Sequence, residues 1–152
     1  MTAKTYLQQI YVINERIKRL MQYRERLRQD MYSLKSPSLD SDRVQTSASG
    51  DGMLRMIARV DEAERDVVSE INRLLTTREN IIARIDRISY LHDIKVEDRE
   101  RYKTILFQYH VLMWTWTDIA QGIGYTERQI HRLKYKAWDA FAKANEDVCK
   151  CQ

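Results

Sequence analysis

The stretch Thr115–Ala144, TWTDIAQGIGYTERQIHRLKYKAWDAFAKA, carries two helix-start signals and a helix-stop signal between them. Thr115 is followed three residues later by Asp118, and Thr126 by Gln129; each pair is a capping box, in which a hydroxyl and an acid or amide exchange hydrogen bonds with each other's backbone. Gly122-Ile123-Gly124 supplies the left-handed residue on which helices commonly end. The spacing predicts a short helix over 116–121, a tight turn, and a longer helix from 126 to about 144. Upstream, 98–114 reads as one amphipathic helix with Tyr102, Ile105, Leu106, Tyr109 and Met113 on its apolar side. At 100° per residue, Ile130, Leu133, Ala137, Ala140 and Phe141 share a face that would pack on Ile119, Ala120 and Ile123, with Ala120 small where two helices must approach closely. Three helices, the last two joined by a short turn, describe a helix-turn-helix.

The rest of the chain is also helical in composition. Its 152 residues include one Pro and four Gly, while charged residues make up 32%. Helix breakers cost roughly 1–3 kcal/mol each, so their scarcity favours long helices over hairpins of strands. From Tyr6, apolar positions recur at steps of four and three through Ile10, Ile13, Ile17, Leu20, Arg24, Leu27, Met31 and Leu34, a heptad seam that predicts a helix over 3–34. A second seam runs through Ile57, Val60, Glu64, Val67, Ile71, Leu74, Arg78, Ile81, Ile85 and Ile88 and predicts a helix over 53–93. Between them, 35–52 contains the only Pro, half the Gly and five Ser, and reads as a loop. The two helices are expected to fold back as an antiparallel hairpin. Glu64 and Arg78 interrupt the seam; they either pair across an interface or sit solvated at its edge.

The second seam is wide. Val67/Val68, Leu74/Leu75 and Ile81/Ile82 repeat as adjacent apolar pairs every seven residues, more than a two-stranded seam needs. Val67, Ile71, Leu74, Leu75, Ile81 and Ile85 are therefore the expected oligomerisation residues, joining two or more copies in a helical bundle. The resulting organisation is all-α: 1–95 a helical hairpin and coiled coil, 96–145 the helix-turn-helix, and 146–152 a flexible tail with Cys149 and Cys151 as unbridged thiols.

Net charge is +4 but uneven: residues 1–35 hold eight basic against three acidic side chains, and 98–152 nine against seven. The outward side of the last helix carries Arg128, His131, Arg132 and Tyr135. Arg can donate two parallel hydrogen bonds to guanine in the major groove, and side chains near the start of a recognition helix reach base edges. Lys134, Lys136 and Lys143 would hold phosphates. The bland alternative is a solvated basic face on a three-helix bundle. No Gly-rich phosphate loop, nucleophile elbow or metal-spaced His/Cys cluster occurs, so neither an enzyme nor a cofactor or metal is expected. His110, within an apolar helix, reads as a hydrogen-bonded packing residue. The longest uncharged stretch, 104–117, is too short for a membrane span, and no secretion signal is read, so a cytoplasmic location is expected.

The run Tyr109–Phe141 resembles region 4 of sigma-70-type factors, with Trp116, Ile119-Ala120, Thr126, Gln129-Ile130, Arg132 and Ala137 in register. It is most similar to that region in small phage- and prophage-encoded regulators of the late-transcription and autolysin-regulator type, which also carry a long N-terminal helical pair. The resemblance implies regulation of phage genes inside the host bacterial cell by contact with double-stranded DNA, with RNA polymerase as a further partner. Carried onto matching positions, Arg128, Gln129 and Arg132 lie at the DNA and Thr126 caps the helix. With His131, Tyr135 and Lys136 they make up the expected DNA-binding set. The family usually has Gly in the turn before Thr-Trp, where this chain has Leu112-Met113-Trp114; either the turn is tighter or another part of the protein covers its apolar residues. Two alternatives remain beside DNA-binding regulation: a packaging adaptor like small terminase subunits, and a sigma-like module that binds polymerase and hardly touches DNA.

Overall fold

A computed structural model describes residues 1–35 and 48–149, and every regular element in them is a helix. These are α1 (Ala3–Lys35), α2 (Ala48–Asp86), α3 (Val96–His110), α4 (Trp116–Ile123) and α5 (Glu127–Ala144), with a single 3₁₀ turn over Arg87–Tyr90. The loop expected over 35–52 gives way to helix at Ala48, and its residues 36–47, like Cys151 and the Leu34 side chain, lie outside the described residues. At its other end α2 stops at Asp86 rather than 93, and the 3₁₀ turn carries Ile88 to full burial. Arg99 donates to the Ser89 carbonyl and Lys103 to the Ser89 hydroxyl at 2.9 Å, so side chains of α3 satisfy the turn. No helix among the described residues is long and apolar enough to cross a membrane.

The chain forms two compact units, one of residues 15–75 and one of 1–14 together with 76–152. The contacts thus group 1–14 and 76–95 with the C-terminal helices, where the sequence reading placed a boundary at 95/96.

In the first unit Ile17, Leu27, Val67, Ile71 and Leu74 are buried. The polar interruptions of the seam find partners there. Glu64 accepts from Arg24 Nε at 2.9 Å and from Arg28 Nε at 2.8 Å, and Glu70 pairs with Arg16 at 2.8 Å. Higher numbers in α1 meet lower numbers in α2, so the two segments run in opposite directions within this unit. Hydrogen bonds from both guanidinium groups hold the Glu64 carboxyl below its ordinary range.

In the second unit Ile105, Ile119, Ala120 and Ile130 form a buried cluster, and Tyr109, Trp116, Ile123, Tyr125 and Leu133 pack around it. The start of α1 joins this unit: Ala3, Leu7 and Ile10 are buried, and the Tyr6 ring lies 6.0 Å from that of Phe141. Leu7 lies outside the heptad seam. Tyr6 and Leu7 form an adjacent apolar pair of the kind seen in α2, and Leu7 supplies the second contact face. Arg78 Nη1 donates to Asn14 Oδ1 at 3.1 Å. Nor are residues 146–149 a loose tail. Asn145 and Cys149 are buried, Asn145 Nδ2 donates to the carbonyls of Arg84 and Phe141, and Asp147 pairs with Arg84 at 2.8 Å and Arg87 at 3.3 Å.

The turn between α3 and α4 leaves its apolar residues only partly covered. Met113 adopts φ 58, the left-handed conformation that a Gly would take without strain. The last carbonyls of α3 are met from the turn, Leu112 N–H donating to Phe107 at 3.1 Å and Trp114 N–H to Gln108 at 3.0 Å. Leu112, Met113 and Trp114 stay 46%, 42% and 41% exposed, so no described residue fully covers them. A side chain in the left-handed region costs roughly 1–2 kcal/mol. Met113→Gly is therefore expected to raise unfolding stability by about 1 kcal/mol, read as a higher urea midpoint at unchanged slope; a lower midpoint would show that Met113 packing outweighs its strain.

Candidate nucleic-acid interface

Both capping boxes form. Thr115 Oγ1 accepts from Asp118 N–H and the Asp118 carboxylate from Thr115 N–H, each at 3.2 Å. Thr126 Oγ1 accepts from Gln129 N–H at 3.3 Å, and Gln129 Oε1 from Thr126 N–H at 2.9 Å. Gly124 ends α4 at φ 74, with Tyr125 N–H returning to the Ala120 carbonyl at 2.8 Å. This return bond closes the helix and turns the chain directly into α5. A further strut crosses the turn, Thr117 Oγ1 donating to Glu127 Oε1 at 2.9 Å.

These contacts fix which side of α5 is presented. Ile130, Ala137, Ala140 and Phe141 are buried, while Thr126, Arg128, Gln129, His131, Arg132, Tyr135 and Lys136 are all exposed. The proposed contact residues thus share one helix, with Arg128, Arg132 and Lys136 at steps of four along it. None of those three pairs with a carboxylate among the described residues. Gln129 spends its side-chain oxygen on the cap, so only its amide N–H groups are left to donate outward.

Lys134 departs from expectation. It is buried, its ammonium 5.2 Å from the Trp116 ring centroid, 5.1 Å from that of Tyr135 and 2.7 Å from His131 Nδ1. Its hydrocarbon stem and the two aromatic faces account for the position. An ammonium can only donate, so His131 Nδ1 accepts and Nε2 carries the ring proton, presented on the exposed side as a donor. Lys143 is likewise engaged, with Asp93 at 3.4 Å.

Behind this face lies an aromatic cluster that the sequence did not reveal. Trp116 stacks on Tyr109 at 3.9 Å between centroids and meets Trp138 edge-on at 6.0 Å. Trp138 Nε1–H donates to His110 Nε2 at 3.1 Å, which puts the His110 proton on Nδ1. His110 is thus a hydrogen-bonded packing residue, and burial, aided by the charge of Lys4, lowers its pKa to about 4. Its proximity to Trp138 had no local sequence signal, because 28 residues separate them.

Of the expected oligomerisation residues, Val67, Ile71, Leu74, Ile81 and Ile85 are buried within the single chain and Leu75 is half-buried. Among the described residues no three His, Cys, Asp or Glu gather to hold a metal ion. Compared with known protein families, curated proteins and solved structures, the chain matches none.

The His110 environment sets a pH dependence. The unfolded chain takes up a proton near pH 6.5 and the folded one only near pH 4, so folding loses stability as pH falls through that window, by about 1.4 kcal/mol per unit and about 3 kcal/mol in all. The carboxylates whose pKa values are lowered, Glu64, Glu70 and Asp147, act below about pH 4.5. Urea unfolding between pH 7 and 5 is expected to show a decline that His110→Gln, which keeps an acceptor for Trp138, removes. An equal decline in the variant would assign the effect elsewhere.

Proposed function

We propose that the protein is a sequence-specific DNA-binding transcription regulator in which α4 and α5 act as a helix-turn-helix and α5 enters the major groove. One observation carries this reading: Arg128, Arg132 and Lys136 stand exposed, without carboxylate partners among the described residues, on a helix whose opposite side is committed to the core. A solvated helix face usually mixes signs or pairs them; three unpaired cations on one line leave a charge for a partner to neutralise. The capped, open start of α5 adds backbone amides suited to phosphate. In this reading Arg128, Gln129, His131 and Arg132 reach base edges, Thr126 caps, and Tyr135 and Lys136 contact the backbone. The resemblance to sigma-70 region 4 points the same way, and with it a phage or prophage role in the bacterial cytoplasm.

The N-terminal helices act in this proposal as a hairpin that brings copies together. Because Leu74 and Ile81 are buried in one chain, the side available to a second copy is the half-buried line Val68, Leu75 and Ile82, repeating every seven residues on α2. Two copies would double the phosphate contacts and set half-site spacing. A second reading, a module that binds RNA polymerase rather than DNA, draws on the exposed apolar segment Leu112-Met113-Trp114.

Selection of bound duplexes from random DNA is expected to yield a defined site. Arg128→Ala with Arg132→Ala should weaken binding to it by about 2–6 kcal/mol, at 1–3 per base-reading contact, and relax the preferred sequence without changing the melting temperature. Unchanged affinity would remove α5 as the reading helix, and salt-insensitive or absent binding with polymerase co-purifying would favour the second reading. In sedimentation, wild type is expected to run as a dimer or larger and Leu75→Asp as a smaller species. A monomeric wild type would refute the assembly, and a closed ring of many subunits would point to a packaging adaptor.

A further inference from the structure

The start of α1 and the end of α5 lie in one compact unit. Burial of Ala3, Leu7 and Ile10 anchors the first turns of α1 there, and Thr2 caps the helix by accepting from Thr5 N–H at 3.2 Å. Lys4, on the outer side of that anchored turn, is exposed, with its ammonium 5.7 Å from the centroid of the Trp138 ring. Trp138 in turn meets Tyr135 edge-on at 5.7 Å, and Tyr135 is 60% exposed. Lys4, Lys134, Tyr135, Trp138 and Asp139 line one concavity of about 390 Å³. Lys4 forms no ion pair among the described residues, not even with Asp139 in the same concavity. Its ammonium instead lies over the Trp138 ring, on a side chain that remains exposed.

The location along α5 matters. Tyr135 and Asp139 follow Arg128 by seven and eleven residues, about 10 and 16 Å along the helix at 1.5 Å per residue. The major groove is about 12 Å wide, so a helix reading bases with its first turns reaches the phosphate rim at this distance.

We propose that the first turn of α1 belongs to the DNA interface, with Lys4, seated against Trp138 beside Tyr135, donating to a backbone phosphate that flanks the bases read by α5. The proposal rests on the DNA-binding reading of α5 and adds a contact from the opposite end of the chain. A phosphate contact carries no sequence information and releases counterions, which separates it from the base-reading residues.

The full-length protein is titrated with the selected duplex and with an unrelated duplex of equal length, over a range of salt concentrations. Lys4→Met keeps the apolar stem and removes the charge; tryptophan fluorescence and melting temperature report whether the Trp138 packing survives. Both duplexes are expected to bind about three- to tenfold more weakly by a common factor, with the slope of log affinity against log salt reduced by about 0.9, and Lys4→Arg is expected to restore both. An unchanged slope in Lys4→Met, with wild type binding DNA normally, overturns this proposal and leaves the α5 reading intact. Failure of wild type to bind either duplex overturns both.

Discussion

An eight-residue helix has too few internal hydrogen bonds to stand alone in water, where helices shorter than about 12–15 residues are marginal. α4 therefore exists only because its ends are capped and its apolar side is taken up by its neighbours. Ile119 and Ala120 meet Ile105 from α3 and Ile130 from α5 in one buried cluster. A larger side chain at position 120 would push α4 away from α5 and turn the exposed row of Arg128, Arg132 and Lys136 with it. The orientation of every charged group on that row is thus set by apolar packing on the reverse side of the helix.

Electrostatics divides the basic side chains into two populations. Arg16, Arg24 and Arg28 are spent on Glu70 and Glu64 in the pairing of α1 with α2, and Arg84 and Arg87 on Asp147. Such exposed pairs contribute little individually, but they consume charge, so the local excess read from the first 35 residues shrinks once the chain is folded. On α5 Lys143 is paired with Asp93, but Arg128, Arg132 and Lys136 have no such partners among the described residues, and their field is left to act outward. Net charge by segment is a poor guide to a binding surface here; the pairing of each side chain is the better one.

Local signals were legible in the sequence and long-range ones were not. Both capping boxes, the Gly124 stop and the inward set around Ile130 depend on residues within four positions of one another, and the structure reproduces them. Glu64 and Arg78 were visible as interruptions, but their partners, 36 to 64 residues away, were not. Leu7 obeys helical spacing whichever face is buried, so nothing near it announced Phe141 or the packing of α1 on the second unit. Lys134 read as a phosphate ligand because its charge is plain in sequence, whereas the aromatic faces of Trp116 and Tyr135 that shelter it appear only in three dimensions. The ends of α2 lie elsewhere than the spacing suggested: helix begins at Ala48 against the poor propensity of Gly50 and Gly52, and beyond Asp86 a 3₁₀ turn holds Ile88 buried.

The second compact unit is assembled from the first 14 residues and the last 77. A ribosome releases the first of those two pieces well before the second. The apolar stripe of Ala3, Leu7 and Ile10 leaves the exit tunnel before Phe141 and Cys149 are made, so the stripe stays open to solvent until they follow. Contacts of such sequence separation slow folding and lengthen exposure to wrong partners. The newly made chain therefore passes through a period in which the segment carrying Lys4 has no aromatic wall to rest on. Any surface built from both segments appears only after α5 has been made, which makes synthesis of α5 a precondition for whatever that surface binds.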